Sequence, residues 1–340
     1  MTPTDTTPPL LEVQDLRIQL RTPRGLVDAV RDVGFVLQQG DTLGLVGESG
    51  CGKSLTALAL MGLLPESAQL SGSICLQGQE LVGLDDPALC RIRGNRIAMV
   101  FQEPMTALNP VHRIGHQVAE PLRRHQGLGA AAAWAEALAL LERVGIPQAA
   151  QRLDQYPHQF SGGQRQRITI AMALACKPAL LLADEPTTAL DVTVQRQILE
   201  LIQGLVEEHH MGLLLISHDL GLIARNTARL LVMYGGSVVE SGPTAAVLQA
   251  TAHPYTRGLL AARPRLQPHA TPHTQGGVQR LPTIAGTVPE LADLPPGCPF
   301  AGRCGWTQPR CHTEAPPRVP LATPAHSARC LRPEAMGVLP

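Results

Sequence analysis

The segment from Gly47 to Ser54 reads GESGCGKS and matches the pattern G-x-x-x-x-G-K-[ST] of a phosphate-binding loop. An apolar run, TLGLV, precedes it and a helical run, LTALALMGLL, follows it, which is the strand–loop–helix context that such a loop requires. Glycines let backbone N–H groups close around phosphate oxygens, and the helix N-terminus adds the positive end of its dipole. We therefore predict contacts to a nucleoside triphosphate from Gly47, Ser49, Gly50, Cys51, Gly52, Lys53, Ser54 and Leu55.

Two residues of this loop have more specific predicted roles. Lys53 would neutralise the β- and γ-phosphates, and the hydroxyl of Ser54 would ligate Mg²⁺. The chain has 28 lysines and arginines, of which only Lys53 and Lys177 are lysines, so a compact point charge is used here where arginine serves elsewhere. The alternative is a chance glycine-rich turn, which the flanking strand and helix disfavour.

A second candidate group follows the apolar run ALLLAD. Asp184 ends this predicted strand and would hold Mg²⁺ through water, and Glu185 would polarise an attacking water as general base. Strands that end in an acidic turn are common, so this pattern alone favours a structural interpretation. The phosphate-binding loop upstream makes the catalytic interpretation the stronger one.

The elements that must position these residues are strands alternating with helices. The apolar runs DTLGLV, NRIAMVF, PALLLAD, MGLLLIS and ARLLVMY predict a parallel sheet buried on both faces. Between about residues 104 and 160 the strand signal disappears, and AAAAWAEALALLERVG predicts an amphipathic helix that ends at Gly145. Half of the 30 prolines lie beyond residue 261, which predicts loops and turns. We expect one domain at 1–261, with a helical insert at 104–160, and an extension at 262–340.

Composition excludes several classes of protein. The formal net charge of zero offers no global basic field for nucleic acid, and the 44% hydrophobic content is ample for a core. The polar start MTPTDTTPPL does not resemble a signal peptide, and no apolar run approaches the roughly 18 residues of a membrane span. We therefore expect a cytosolic protein, in which disulfides are rare.

A run of ordered motifs resembles the nucleotide-binding subunit of an ABC transporter. The segment FSGGQRQR, which contains Ser161, Gly162, Gly163 and Gln164, resembles the family's LSGGQ signature, with Phe160 at its first position. Gln102 in VFQEP resembles the glutamine that senses the γ-phosphate and metal, Asp191 in ALD resembles the loop that crosses the dimer interface, and His218 in LLISHD resembles the switch histidine. The resemblance extends from residue 11 to about residue 261.

This resemblance implies an α/β fold, a P-loop NTPase cassette with a RecA-like core, an antiparallel β edge and a helical subdomain. It also implies that the signature of one cassette binds the nucleotide of a partner, so that two cassettes enclose two ATPs with Mg²⁺. From the residues alone, the signature lies at a helix start, where free N–H groups and a hydroxyl suit an anion. The aromatic residue that many relatives stack on adenine is missing, and we expect aliphatic contacts around Val27–Val30 instead.

A narrower resemblance is to the ATPase subunits of oligopeptide and dipeptide importers, and to the dipeptide type in particular. It is based on VFQEPMTALNP, DEPTTALDVTVQ, HPYTRGLL and PTIAGTVPELADLPPGCPFAGRC. It implies a second, paralogous ATPase subunit, two transmembrane permease subunits, an external peptide-binding protein and a position on the cytoplasmic face of the inner membrane. Relatives that serve nickel, glutathione or opines share much of this pattern.

Other classes of ABC ATPase fit the sequence less well. Soluble ABC ATPases of DNA repair carry a very long coiled coil, and those of translation carry two cassettes in one chain; neither feature is present. A cassette that exports or regulates is disfavoured by the proline-rich tail and by HPYTRGLL, through resemblance only.

Cysteines raise two further expectations. Cys51 lies in the loop beside Lys53 and at a helix N-terminus, both of which stabilise a thiolate, so we expect a reactive thiol that ATP protects. Cys298, Cys304, Cys311 and Cys330 are spaced C-x₅-C-x₆-C-x₁₈-C, without the close pairs typical of structural zinc. Four thiols on wide loops suit an iron–sulfur cluster, and the resemblance implies a [4Fe-4S] cluster. Zinc, or four reduced thiols, are the alternatives.

Overall fold

The computed structural model of the chain describes residues 8–188, 190–263 and 282–337. Residues 264–281 and 338–340 of the expected extension, together with residues 1–7 and 189, lie outside the described residues. The strands are β1 (Leu11–Thr22), β2 (Gly25–Leu37), β3 (Thr42–Val46), β4 (Ala68–Leu76), β5 (Gln79–Glu80), β6 (Ile97–Val100), β7 (Leu180–Asp184), β8 (Gly212–Ser217), β9 (Arg229–Tyr234), β10 (Ser237–Pro243), β11 (Val319–Pro320) and β12 (Ser327–Ala328).

The helices occupy the connections between strands and the insert. They are α1 (Lys53–Leu60), α2 (Asp86–Ile92), α3 (Pro104–Ala107), α4 (Ile114–His125), α5 (Ala130–Arg143), α6 (Ala149–Arg152), α7 (Gly162–Leu174), α8 (Val192–Glu208), α9 (Leu220–Asn226), α10 (Thr244–Gln249), α11 (Pro254–Ala261) and α12 (Arg310–Thr313). The five apolar runs form β3, β6, β7, β8 and β9, and the amphipathic run forms α5, as expected.

The chain divides into two compact units, which differ from the predicted domains. Of the described residues, the first unit contains 8–18, 32–43, 54–188 and 190–217, and the second contains 19–31, 44–53, 218–263 and 282–337. The expected boundary after residue 261 stays a prediction.

In the first unit, β6, β7 and β8 are parallel neighbours, with Ile97 opposite Leu180 and Leu180 opposite Gly212. All residues of these three strands are buried, because helices cover a parallel sheet on both faces. The sheet β2-β1-β4-β5 supplies the antiparallel edge. The segment expected to be helical carries α3 to α6, with α4 packed on α5 and α7.

In the second unit, β9 and β10 form an antiparallel pair, and part of the extension continues the sheet. β12 pairs with β10 through Glu240–Ala328 and Ser241–Ser327, and β11 pairs with β12. The proline-rich composition predicts loops and turns with little regular structure, and these strands of two residues each agree with that expectation. They form because a sheet edge offers unpaired backbone groups to any extended segment that reaches it.

A buried carboxylate lies beside this added strand. Glu240 in β10 is 1% exposed and accepts hydrogen bonds from the backbone N–H groups of Ala252 and His253, at 2.7 and 3.0 Å. Its Oε1 also lies 2.9 Å from Nε2 of His326, which is 2% exposed and belongs to the extension. A buried carboxylate must have hydrogen-bond partners, and the extension supplies one of those of Glu240 through His326.

His253 is the second buried polar residue of this region. It is 1% exposed, and its Nδ1 accepts the backbone N–H of Tyr255 at 3.1 Å, which caps the start of α11. Burial lowers the pKa of His253 to about 4, and the nearby Glu240 opposes this shift only in part. The imidazole is therefore neutral at pH 7.

We predict that acid destabilises the fold through His253. An unfolded histidine has a pKa of about 6.5, so between pH 6.5 and about 4 the unfolded chain binds a proton that the folded chain does not. Stability is therefore highest above pH 6.5 and falls as the pH is lowered through this window, by roughly 1–3 kcal/mol. Chemical denaturation at pH 7.5 and pH 5, followed by near-ultraviolet circular dichroism, measures the loss.

The matched variant is His253→Asn, because asparagine is a good N-cap residue and does not titrate in this range. Its stability should depend less on pH than that of the native chain. An equal dependence in both proteins would contradict the assignment to His253.

Candidate functional site

The predicted phosphate-binding loop connects β3 to α1, as its sequence context requires. A Cβ on Gly47 would lie 2.3 Å from the carbonyl oxygen of Met233, so no larger residue fits there. Gly52 has φ +100°, and a Cβ on it would lie 2.8 Å from the carbonyl oxygen of Ala29 and 3.0 Å from Val30. The segment expected to contact adenine, Val27–Val30, therefore reaches the loop, and its role toward adenine stays a prediction.

Lys53 is drawn into the loop. Its side chain is buried, at 5% exposure, and its Nζ donates to the carbonyl oxygens of Gly47 and Glu48 at 2.8 and 3.0 Å. Two carbonyl oxygens of the loop itself therefore hold the Lys53 ammonium against the loop backbone. The role of Lys53 toward the β- and γ-phosphates stays a prediction.

The expectation of a reactive Cys51 thiolate is wrong. Cys51 is 2% exposed, and burial raises the pKa of its thiol above the ordinary value, while Lys53 opposes this shift only in part. Sequence reasoning counted the lysine and the helix N-terminus and could not see the desolvation. Cys51 fills the interior of the loop as a small apolar side chain.

In the first unit, the structure brings Gln102 and Glu185 together. β6 and β7 run parallel in register, with Val100 opposite Ala183, so the residues that follow the two strands meet at one edge of the sheet. Gln102 Nε2 donates to Glu185 Oε2 at 3.3 Å, and Thr188 Oγ1 donates to the same oxygen at 3.0 Å.

Glu185 also has an unusual backbone. Its φ is +45°, in the left-handed region that non-glycine residues rarely adopt, and its N–H donates to the carbonyl oxygen of Ile216 at 3.0 Å. Such strain is concentrated at functional sites. The neighbouring Asp184, the last residue of β7, is 4% exposed, so this edge of the sheet presents two carboxylates in different environments.

The signature segment begins α7 with a capping box. Ser161 Oγ accepts the N–H of Gln164 at 3.3 Å, and the Gln164 side chain accepts the N–H of Ser161 at 3.1 Å. The Ser161 hydroxyl, which we expect to bind an anion, therefore accepts a hydrogen bond from its own helix. Gly162 is exposed and Gly163 is half-buried.

Two further motif residues lie at helix starts or strand ends. Asp191 caps α8 by accepting the N–H groups of Thr193 and Val194, at 3.1 and 3.0 Å. His218 follows β8 directly, in the second unit, and its side chain is exposed. Both residues were identified by the order of the motifs along the chain, and the roles that the resemblance implies for them stay predictions.

The four cysteines of the extension line one cavity of about 20 Å³. Its wall is formed by Cys298, Cys304, Cys311 and Cys330, with His253 and Trp306 among the other lining residues. Burial, and then the neighbouring thiols of the other three cysteines, raise the pKa of Cys298 to about 11, and burial also raises the pKa of Cys330. Thiols up to 32 positions apart in sequence, Cys298 and Cys330, therefore converge.

The convergence does not amount to a formed metal site. Over the described ranges, no group of three or more His, Cys, Asp or Glu residues has the arrangement that holds a metal ion. The donor chemistry and the shared cavity are those that a thiolate-bound group would use.

Sequence reasoning missed two residues that touch the phosphate-binding loop. Tyr255 Oη accepts the backbone N–H of Glu48 at 2.8 Å, and Arg303 pairs with the Glu48 carboxylate at 2.6 Å. They lie 207 and 255 residues away from Glu48 in the chain, and no sequence motif predicted either contact.

Comparison with known proteins agrees with these features. The family model described as ABC transporter matches residues 30–188, and the model described as Oligopeptide/dipeptide transporter, C-terminal region, matches residues 239–311. A Brucella melitensis protein provisionally named a peptide import ATP-binding protein is 50% identical over 331 residues, which cover 95% of this chain and 97% of that protein. A Brucella abortus protein with the same description is 49% identical over 325 residues, covering 95% of each chain.

Solved structures share the fold. A dimeric ATP-binding cassette in a post-hydrolysis state, bound to ADP and Pi, is 27% identical, with a TM-score of 0.62; the match covers 69% of this chain and 98% of that one. The cbiO1 protein of Clostridium perfringens is 24% identical, with a TM-score of 0.59 over 71% of this chain and 91% of that one, and it supports the fold alone.

Within the part of the chain that the structure describes, no helix is both long and apolar enough to cross a bilayer.

We predict that native Cys51 resists alkylation. Since its thiol is buried and its pKa is raised, brief iodoacetamide treatment at pH 8 should label the half-buried Cys90 well before Cys51, with or without ATP. Peptide mapping by mass spectrometry gives both rates in one sample. Labelling of Cys51 as fast as Cys90, and suppressed by ATP, would restore the reactive-thiol interpretation.

Proposed function

Because the chain belongs to the family of ABC transporter ATP-binding subunits of the oligopeptide/dipeptide type, we propose that it hydrolyses ATP to energise a binding-protein-dependent importer of di- or oligopeptides. The observation that carries this proposal is the Brucella melitensis relative, which is 50% identical over nearly the whole of both chains and is provisionally named for peptide import. The match of the C-terminal region to its own family model supports the peptide class.

The proposed ATP site uses the residues that the sequence motifs predict. Gly47, Ser49, Gly50, Cys51, Gly52, Lys53, Ser54 and Leu55 bind the phosphates, and Ser54, Gln102 and Asp184 hold Mg²⁺. A bound Mg²⁺ would supply positive charge beside the transferred phosphoryl group, and Lys53 would add a second positive charge. The hydroxyl, amide and carboxylate oxygens of these three residues are donors that Mg²⁺ accepts.

Glu185 is the proposed general base and His218 the proposed switch residue. The hydrogen bond from Gln102 to Glu185 supports this role, because it joins the residue proposed at the metal to the residue proposed at the attacking water. A carboxylate that accepts two hydrogen bonds has a defined orientation, which general-base catalysis requires.

The proposed assembly follows the family pattern. Ser161, Gly162, Gly163, Gln164 and Asp191 would face a partner cassette, which we propose is a paralogous ATPase subunit. Two transmembrane permeases and an external peptide-binding protein complete the importer, with this chain on the cytoplasmic face of the inner membrane. The dimeric cassette with ADP and Pi supports pairing in general.

The cysteine cavity is proposed to hold a [4Fe-4S] cluster. Four thiols converge on it, and burial together with the neighbouring thiols raises the pKa of Cys298, a cost to its thiolate that a bound cation would offset. The cluster would supply a covalent clip for a segment rich in proline. The chain's own contribution is the set of turns that bring the four cysteines to one cavity.

The test of the catalytic assignment is Glu185→Gln in the assembled complex. Removing the general base should slow ATP hydrolysis by roughly 10²–10⁴-fold while ATP still binds. Phosphate release and nucleotide binding are measured on the same preparation. Glu207→Gln, an exposed position near the end of α8, is the matched control and should hydrolyse normally. Near-normal turnover of Glu185→Gln would remove Glu185 from this role.

The test of the cluster is anaerobic purification of the full chain. We expect about four irons and matching sulfide per chain, with a broad visible absorbance. Cys304→Ser should lower the iron content, whereas Cys75→Ser, in β4 of the first unit, should leave it unchanged. A colourless protein with stoichiometric zinc and no iron would show that the metal is wrong.

A further inference from the structure

The extension places an arginine against the phosphate-binding loop. Arg303 ends the 3₁₀ turn Ala301–Arg303, directly before Cys304. Its Nη1 donates to Glu48 Oε2 at 2.6 Å and its Nη2 to Glu48 Oε1 at 3.1 Å. This two-pronged geometry is the strongest that an arginine and a carboxylate can form.

The pair is shielded from solvent on the arginine side. The Arg303 side chain is 7% exposed and that of Glu48 is 28% exposed. Arg303 Nε also donates to the carbonyl oxygen of Ala285 at 2.9 Å, and the guanidinium lies against the ring of Tyr234. A guanidinium held at three points has little freedom to follow Glu48 elsewhere, so it anchors the carboxylate.

Glu48 is held through its backbone as well. Its N–H donates to Tyr255 Oη at 2.8 Å, and its carbonyl oxygen accepts the ammonium of Lys53 at 3.0 Å. Glu48, whose carboxylate pairs with Arg303, is therefore also one of the two residues whose carbonyl oxygens hold the Lys53 ammonium. A shift of Glu48 moves a ligand of the lysine.

Charge gives Arg303 a second effect on the same loop. Glu48 follows the first glycine of a loop that binds a highly negative ligand, and an unopposed carboxylate there repels it. Arg303 neutralises that carboxylate in a partly buried setting, where solvent screens little. Breaking such a pair from one side leaves an uncompensated charge, which costs far more than losing an exposed ion pair.

We propose that Arg303 is a positioning residue of the ATP site, which acts through Glu48 to hold the phosphate-binding loop and to cancel its negative charge. The C-terminal extension is thus part of the nucleotide site. This inference rests on the proposed role of Gly47–Ser54 in binding ATP phosphates.

The experiment is a double-mutant cycle on the full chain, read out as the dissociation constant of a non-hydrolysable ATP analogue with Mg²⁺. Arg303→Met should weaken binding roughly 5–30-fold, the equivalent of one to two kcal/mol. In the Glu48→Gln background the same substitution should change binding less than about 2-fold, because the carboxylate through which Arg303 acts is gone. Equal effects in both backgrounds, or no effect in the native background, overturn the proposal.

The matched control is Arg310→Met. Arg310 also precedes a cysteine of the cavity, but its ion pair, with Glu314, is exposed. It should bind the analogue as the native chain does. Weakening by Arg310→Met equal to that by Arg303→Met would show that any arginine loss beside the cysteines acts through the fold of the extension, and would overturn the specific role of Arg303.

Two further variants keep the test decisive. Should Arg303→Met fail to fold, Arg303→Lys replaces it in both backgrounds, since lysine keeps the charge and loses the fork, and a smaller loss confined to native Glu48 is expected. Lys53→Ala tests the loop itself and should abolish binding. Normal binding by Lys53→Ala refutes the proposed phosphate site, whereas its loss together with normal binding by Arg303→Met refutes only the role of Arg303.

Discussion

The buried carboxylate of Glu240 is the constraint on which much of the second unit depends. A carboxylate without solvent must be surrounded by donors, and here these are two backbone N–H groups at the start of α11 and the imidazole of His326. The two N–H groups hold the segment just before α11 against β10. Tyr255 of α11 in turn contacts the phosphate-binding loop at the backbone N–H of Glu48. The imidazole of His326 ties the extension to β10, beside the β12 pairing. One buried charge therefore positions both segments that reach Glu48.

The first unit depends on a different constraint, the parallel register of its strands. Because β6 and β7 end level with each other, Gln102 and Glu185 meet without any long-range side-chain network. The left-handed backbone of Glu185 turns its carboxylate toward that edge at a cost in conformational energy. The surrounding strands offset this cost, since all residues of β6, β7 and β8 are buried. Strain at the edge is thus supported by packing beneath it.

The sequence predicts features that depend on local patterns and misses those that depend on contacts between distant residues. Apolar runs gave the strands, and glycine spacing gave the loop, because both patterns are local. The contacts of Tyr255 and Arg303 with Glu48 span more than 200 residues, and neither residue type predicts a partner at that distance. The burial of Cys51 was likewise invisible, because desolvation depends on what packs around the loop. The added strands β11 and β12 are two residues each, too short for any periodicity.

The cysteine spacing connects these points to the extension. Sequence separation excluded close pairs but could not show that the four thiols share a cavity. Phe300 also lines that cavity, and its ring contacts those of Tyr234 and Tyr255 at centroid distances of 5.1 and 5.5 Å. Phe300 lies two residues after Cys298 and three before Arg303. The apolar packing that buries the thiols therefore also fixes the start of the turn that delivers the guanidinium to Glu48. One short segment therefore carries both lining residues of the cysteine cavity and the arginine that pairs with Glu48.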